Sequence, residues 1–264
     1  MQFTTLGTKS SPAVLLIHGM LCTADDSLIF GRYLADRYYV IAPTLDGHGD
    51  DGSTLVSAEE EARKIIAYLK ENGIRSLALI QGSSMGAEVA LAVLDACRRA
   101  DIEVGHCFFD GGPFFDFHPV KRFFMTLIFS RLIKVFENEP DKALEKLKSS
   151  PFVRFVLRGK IADMEPLLRS MAERRRTYTD RTVKGMVKTC YNCALPDLPC
   201  DVQRTLVFFF SMEEPARTSK KRLKAAYPMA KYRDIRGYGH CSFQFMRPKR
   251  YARLLKDVMA GSDL

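Results

Sequence analysis

Between about residues 12 and 112, short apolar runs alternate with stretches of helical periodicity. That alternation is the pattern of a parallel sheet covered by helices on both faces. Ala13–Ile17, Tyr38–Ala42, Leu77–Gln81 and Val104–Phe109 read as strands, apolar along nearly their whole length, as a strand buried on both faces must be. Before the third of them, Ser57 with Glu60 three residues on opens a helix. Ala62, Ile65, Ile66 and Leu69 share one face of it, and Asn72-Gly73 closes it. A second helix is expected from about Met85 to Arg99, with Val89, Val93, Leu94 and Cys97 inward and two arginines at its negative end.

After Gly111-Gly112-Pro113 the rhythm changes. Residues 114–200 look helical, Val183–Lys188 being the most strand-like stretch among them. Strands resume at Thr205–Phe210 and near Tyr232–Ile235, and an apolar-periodic helix runs through Leu254, Leu255 and Val258. The expected architecture is α/β, a mostly parallel doubly wound sheet built from residues 1–113 and 201–264, with residues 114–200 inserted as a helical cap.

Composition excludes several classes. No run of 18 apolar residues exists, so a membrane-spanning helix is not expected, and the first residues lack the features of a secretory signal. Seven cysteines, an odd number, do not suggest a disulfide framework, and a reducing, cytoplasmic setting is the expectation. Cys190 and Cys193 form a C-x-x-C with Cys200 nearby, but a fourth zinc ligand is missing from the neighbourhood, so they read as buried thiols. The net charge of +9 is concentrated: 17 basic and 10 acidic residues lie between Asp116 and Cys200, against 23 and 21 elsewhere. No recognition helix or stacking motif accompanies that excess, so no nucleic-acid partner is expected. No P-loop or G-x-G-x-x-G follows any strand, and no metal or cofactor is called for.

The chemistry is carried by Gly82-Ser83-Ser84-Met85-Gly86, a G-x-S-x-G between an apolar strand and an amphipathic helix. Small neighbours let strand and helix approach closely around a strained Ser84, whose hydroxyl then projects clear of the sheet. The Met85 N–H, at the positive end of the helix, faces the same space. A serine hydroxyl needs a base. Of five histidines, His106 falls in a strand pattern, His118 precedes a proline, and His18 and His48 sit in turns. His240, in Gly237-Tyr238-Gly239-His240 between the last strand and the final helix, can hang over the sheet edge and is favoured as the base. An acid must hold that imidazole. Glu213 and Glu214 follow one strand on the right edge, and Asp110, ending another, is a rival.

Residues 13–113 and 201–264 resemble the α/β-hydrolase superfamily through AVLLIHGM, APTLDGHGD, LIQGSSMG, FFFSMEEPA and RGYGHCSF, in the order Ser, acid, His. The resemblance implies Ser84 as nucleophile, His240 as base, and the Met20 and Met85 amides as oxyanion hole. It puts Glu214 at the acid position, in a turn where Ser211 replaces the family's usual glycine and glutamate its usual aspartate. The implied activity is hydrolysis of an ester-like small molecule, without a cofactor. Carbon–carbon bond hydrolysis or lysis on an anionic substrate, which the basic insert would suit, and non-catalytic ligand binding are the alternatives.

Phe114, Phe115 and Phe117 begin the insert, and Phe123, Phe124, Leu127, Ile128, Leu132, Ile133 and Phe136 recur at nearly helical spacing. They suit a cap helix packed on the core, a lid over an acyl pocket, or a surface touching acidic lipid. Phe114, Phe115 and Phe124 are the candidate pocket residues. Arg174-Arg175-Arg176 could meet an anionic substrate, and Cys22 and Cys241, beside the proposed site, are candidates for oxidation.

Overall fold

The computed structural model describes residues 1–157, 161–174 and 178–262. One sheet contains β1 (Gln2–Leu6), β2 (Ala13–Ile17), β3 (Tyr39–Thr44), β4 (Ser76–Ser83), β5 (Glu103–Asp110), β6 (Leu206–Ser211) and β7 (Lys231–Ile235). Their spatial order is β1-β3-β2-β4-β5-β6-β7. Every neighbouring pair runs parallel except β1 with β3. The mostly parallel, doubly wound sheet is therefore as expected. β1 has no counterpart in the sequence reading, because an exposed edge strand with the sequence QFTTL lacks the apolar run that marks the buried ones.

In chain order the α-helices are α1 (Ala24–Gly31), α2 (Ala58–Glu71), α3 (Met85–Arg99), α4 (Pro119–Ile133), α5 (Pro140–Ser149), α6 (Pro151–Leu157), α7 (Ile161–Glu173), α8 (Asp180–Tyr191), α9 (Cys200–Gln203), α10 (Lys220–Ala226), α11 (Ser242–Met246) and α12 (Pro248–Met259). Successive residues of β2 point to opposite faces. Leu15 and Ile17 join Ile65, Leu69, Val89 and Val93 of α2 and α3 on one side of the sheet. Val14 and Leu16 join Phe30 of α1 and Tyr251 and Leu255 of α12 on the other. Each such side chain, fully buried, contributes roughly 1.5–3 kcal/mol. Ser57 caps α2 by accepting a hydrogen bond from the Glu60 N–H at 3.3 Å.

Helices α4 to α8 all lie between β5 and β6 in sequence. They carry an apolar cluster of their own, with Phe129, Leu132, Leu147, Leu167, Leu168, Val183 and Val187. Val183–Lys188 is helical, not strand-like, because Val183, Met186, Val187 and Cys190 recur at helical spacing along the buried side of α8. The Thr179 hydroxyl caps that helix from the Thr182 N–H at 3.1 Å. Among the described residues no helix is long and apolar enough to cross a membrane.

Candidate active site

β4 passes into α3 through Ser84, whose φ of 51° and ψ of −124° lie where residues with a side chain rarely go. The strain is held by close packing. A Cβ on Gly82 would stand 2.2 Å from the Gly86 carbonyl oxygen, and one on Gly86 would stand 2.4 Å from that of His18. Only hydrogen fits at either place. The Ser84 N–H donates to the Asp110 carbonyl at 2.7 Å, tying the turn to the end of β5.

Parallel register brings the other groups to the same edge. Ser83 pairs with Asp110 and Asp110 with Phe209, so β4, β5 and β6 all end there. Beyond β6 a short turn brings Glu214 back, and its Oε1 accepts from the Ser211 N–H at 2.6 Å. The other oxygen, Oε2, lies 2.5 Å from His240 Nδ1, and His240 Nε2 lies 2.9 Å from Ser84 Oγ. Hydroxyl, imidazole and carboxylate thus form one continuous chain. The Ser211 hydroxyl donates to the Tyr238 carbonyl, two residues before His240, and so pins the histidine loop to β6.

A backbone feature completes the site. His18 Nε2 accepts from the Leu45 N–H at 3.0 Å, which leaves the proton on Nδ1 to donate to the Gly19 carbonyl at 2.7 Å. A trans peptide points its C=O and N–H in opposite directions. Fixing the Gly19 carbonyl therefore fixes the Met20 N–H away from His18. Met85 is the first residue of α3, so its N–H lies outside the helical ladder and at the positive end of the dipole.

The motif order, the elbow geometry and the sheet topology converge with a family match, in which the model of the alpha/beta hydrolase family covers residues 14–254. The chain belongs to the alpha/beta hydrolase family. Membership places it among hydrolases. Solved structures agree on the fold. An alpha/beta hydrolase family protein from Desulfitobacterium hafniense superposes with a TM-score of 0.74 at 19% identity, covering 98% of this chain and 100% of that one. A thermophilic esterase from Thermogutta terrifontis gives 0.72 at 15%, covering 98% and 93%. A meta-cleavage product hydrolase from Pseudomonas fluorescens IP01 gives 0.69 at 18%, covering 99% and 94%. No curated protein matches the chain by sequence.

The remaining candidates in this hydrolase separate clearly. Glu213 is exposed, and it is Glu214 whose carboxylate meets the imidazole. Asp110 is buried behind the site, hydrogen-bonded to the Tyr251 hydroxyl. Burial first, and the charge of Glu214 second, push its carboxyl up to about 7. Burial also opposes a charged His240, but the hydrogen bond and charge of Glu214, with the charge of Asp110, outweigh it and raise the imidazole above the ordinary histidine value. Ser83, the other serine of the motif, is tied into a buried network. It accepts from Gln81 Nε2 at 2.7 Å and donates to Gln244 Oε1 at 2.9 Å.

A cavity of about 220 Å³ opens over Ser84 and His240. Phe129 and Leu132 from α4, Val153 and Leu157 from α6, and Leu167 and Leu168 from α7 line it, together with Phe115 and Tyr191. No Lys or Arg lines it among the described residues. Two of the three expected pocket phenylalanines are elsewhere. Phe114 is fully buried, because a φ of 41° turns its ring back against Phe109 and Phe208 of the sheet. Its N–H donates to Glu88 Oε1 at 2.5 Å and its carbonyl accepts from Arg222 at 2.7 Å, so it anchors the start of the insert. Phe124 faces outward from α4, away from the cavity that its neighbours on the opposite face line.

The basic run also serves a different end. Arg174 donates to buried Asp26 Oδ1 at 2.6 Å, clamping α7 to α1, and Arg175 and Arg176 lie outside the described residues. Cys22 and Cys241 do border the cavity, but burial pushes both thiols well above their ordinary value and leaves little reactive thiolate. Cys190 and Cys193 are likewise buried thiols, as the sequence suggested.

Sequence reasoning missed Gly111. Its φ is +63°, and a Cβ there would lie 2.8 Å from Cys241 Sγ, 2.9 Å from Glu214 Oε2 and 3.1 Å from His240 Cε1. The glycine makes room for the pair formed by acid and imidazole. Gly111-Gly112 after a strand was the available signal, and it reads equally well as an ordinary turn.

Proposed function

We propose that this chain is a serine hydrolase of the carboxylesterase type, cleaving an uncharged ester with an apolar acyl group through an acyl-enzyme. One observation carries the reading: Ser84 Oγ, His240 and Glu214 are joined in series at 2.9 and 2.5 Å on the floor of an apolar cavity. His240 Nε2 takes the Ser84 proton as Oγ attacks the ester carbonyl carbon, and Glu214 holds Nδ1–H and stabilises the imidazolium. The carbonyl electrons collect on oxygen, where the Met20 and Met85 N–H groups receive them. Collapse expels the alcohol, which takes the proton from His240. Water, deprotonated by the same imidazole, then attacks the acyl carbon and restores Ser84.

Helices α4 to α8 act as the cap in this reading, with Phe115 and the residues from α4, α6 and α7 enclosing the acyl chain. A lining without lysine or arginine among the described residues supports an ester over the anionic diketones that a carbon–carbon bond hydrolase would take, since a buried carboxylate without a partner is costly. Two measurements test the reading. A fluorophosphonate probe should label wild type and spare Ser84→Ala, whereas a protein that only binds its ligand would resist labelling. Purified protein given aryl esters of increasing acyl length should favour the longer neutral chains. Turnover of a vinylogous diketone acid with none of any ester would overturn the substrate class.

A further inference from the structure

Helix α4 is apolar on two sides. Phe129, Leu132 and Ile133 are buried in the cluster of the insert. Val120, Phe123, Phe124, Leu127 and Ile128, spaced three and four residues apart, form a second stripe on the opposite side, and all five are exposed. Val120, Phe123 and Phe124 keep 59%, 61% and 58% of their surface in solvent. Five large apolar side chains on one helical face form a patch of a kind that soluble surfaces rarely present without an occupant.

The charges around the patch say what the occupant is. Helix α4 contains no Asp or Glu. At a rotation of about 100° per residue, Arg131 and Lys134 fall on the same side as the stripe and Lys121 at its border. All three are exposed, and none has a carboxylate partner among the described residues. Lys121 Nζ instead lies 3.6 Å from the centre of the Phe117 ring. A second copy seated two-fold on this face would set these cations against their own images. An anionic bilayer offers both things the face lacks, acyl chains for the aromatic stripe and negative headgroups for its rim.

We propose that the outer face of α4 docks on an acidic lipid surface, the helix lying in the plane of the interface with Phe123 and Phe124 in the acyl boundary. The same helix lines the cavity through Phe129 and Leu132, so docking would set the cavity wall against the bilayer. This inference goes beyond the ester reading and does not need it, since a chain unable to turn over any ester would still dock.

The experiment is sedimentation of the full chain with phosphatidylcholine vesicles, with and without phosphatidylglycerol. Wild type should pellet with the anionic vesicles at low ionic strength, much less with the neutral ones, and progressively less as salt is added. Lys121→Glu/Arg131→Glu should weaken the partition by at least about 25-fold, at roughly fivefold for each cation removed. Val120→Ser/Phe123→Ser should weaken it on the order of tenfold or more by removing apolar contact. Both variants should keep the circular dichroism spectrum and cooperative thermal unfolding of wild type, showing that they fold, and Ser84→Ala should sediment like wild type. Failure of wild type to pellet with anionic vesicles would overturn the proposal. So would a wild-type dimer that Val120→Ser/Phe123→Ser dissociates, since the face would then be an interface between copies.

Discussion

The floor and the roof of the cavity are built on different principles. On the floor each polar atom is fixed by another: Glu214 by the Ser211 amide, His240 by Glu214 and through Tyr238 by Ser211, Ser84 by the backbone of Asp110. The roof is a set of apolar side chains on α4, α6 and α7 with no lysine or arginine among the described lining. Under the proposed serine-hydrolase function, a floor of directed hydrogen bonds sets how fast bonds are made and broken, because such bonds tolerate little displacement. Under the same proposal a roof of dispersion contacts selects the acyl chain, and does so gradually, methylene by methylene. If that division holds, floor substitutions lower the rate for every substrate and roof substitutions reorder the substrates.

The sharpest way to break the comparison is Ser84→Ala, which should lower kcat on the order of 10⁶-fold for short and long esters alike. Retained activity would remove the nucleophile from the floor. Glu214→Gln should cost about 10⁴-fold, while Asp110→Asn should cost less than about tenfold, because Asp110 touches Tyr251 and not the imidazole. The reverse order in steady-state rates would move the acid to β5. Gly111→Ala, with no change at any reacting group, should still cost about 10²-fold by pushing the imidazole off its line.

On the roof the expected effects are smaller and selective. Leu132→Ala or Leu167→Ala should leave kcat on an acetyl ester within a few-fold and lower kcat/KM on long acyl esters by about 10-fold or more. Equal losses at every chain length would show the division to be false. The pH profile sharpens the floor itself. Because the Glu214 hydrogen bond and charge raise the imidazole, and His240 must be neutral to accept the proton, the acid limb of kcat/KM should have its midpoint above 6.5. In Glu214→Gln any residual activity should show that limb shifted downward.

The smallest effect is on stability. Asp110 is protonated up to about pH 7 when folded, whereas an unfolded Asp ionises near 3.8. Between those values the folded state holds the extra proton, so this group makes stability fall as pH rises, by at most about 1.4 kcal/mol per pH unit. Thermal unfolding of Asp110→Asn should show a shallower decline over that window than wild type.

Most of the sheet was legible because strands buried on both faces must be apolar throughout, and the elbow was legible because its sterics admit only glycine at Gly82 and Gly86. The edge strand β1 was not, since one exposed face asks little of its residues. Phe114 and Phe124 carry the same side chain at similar spacing, yet one is buried in the sheet and the other faces solvent. Apolar periodicity says that a side chain belongs on some apolar face, not which.

The sequence alone therefore determined the order of the strands from β2 to β7, the strained serine and the histidine that lies beside it, because those depend on local backbone geometry and on chain order along a parallel sheet. The tertiary structure decided which carboxylate holds His240, since Glu213, Glu214 and Asp110 all lie within reach in sequence and only the turn after β6 brings an oxygen to Nδ1. It also decided that, among the described residues, the lysines and arginines of the insert lie outside the cavity lining. Charge counts along a chain carry no direction, and helix packing supplies it.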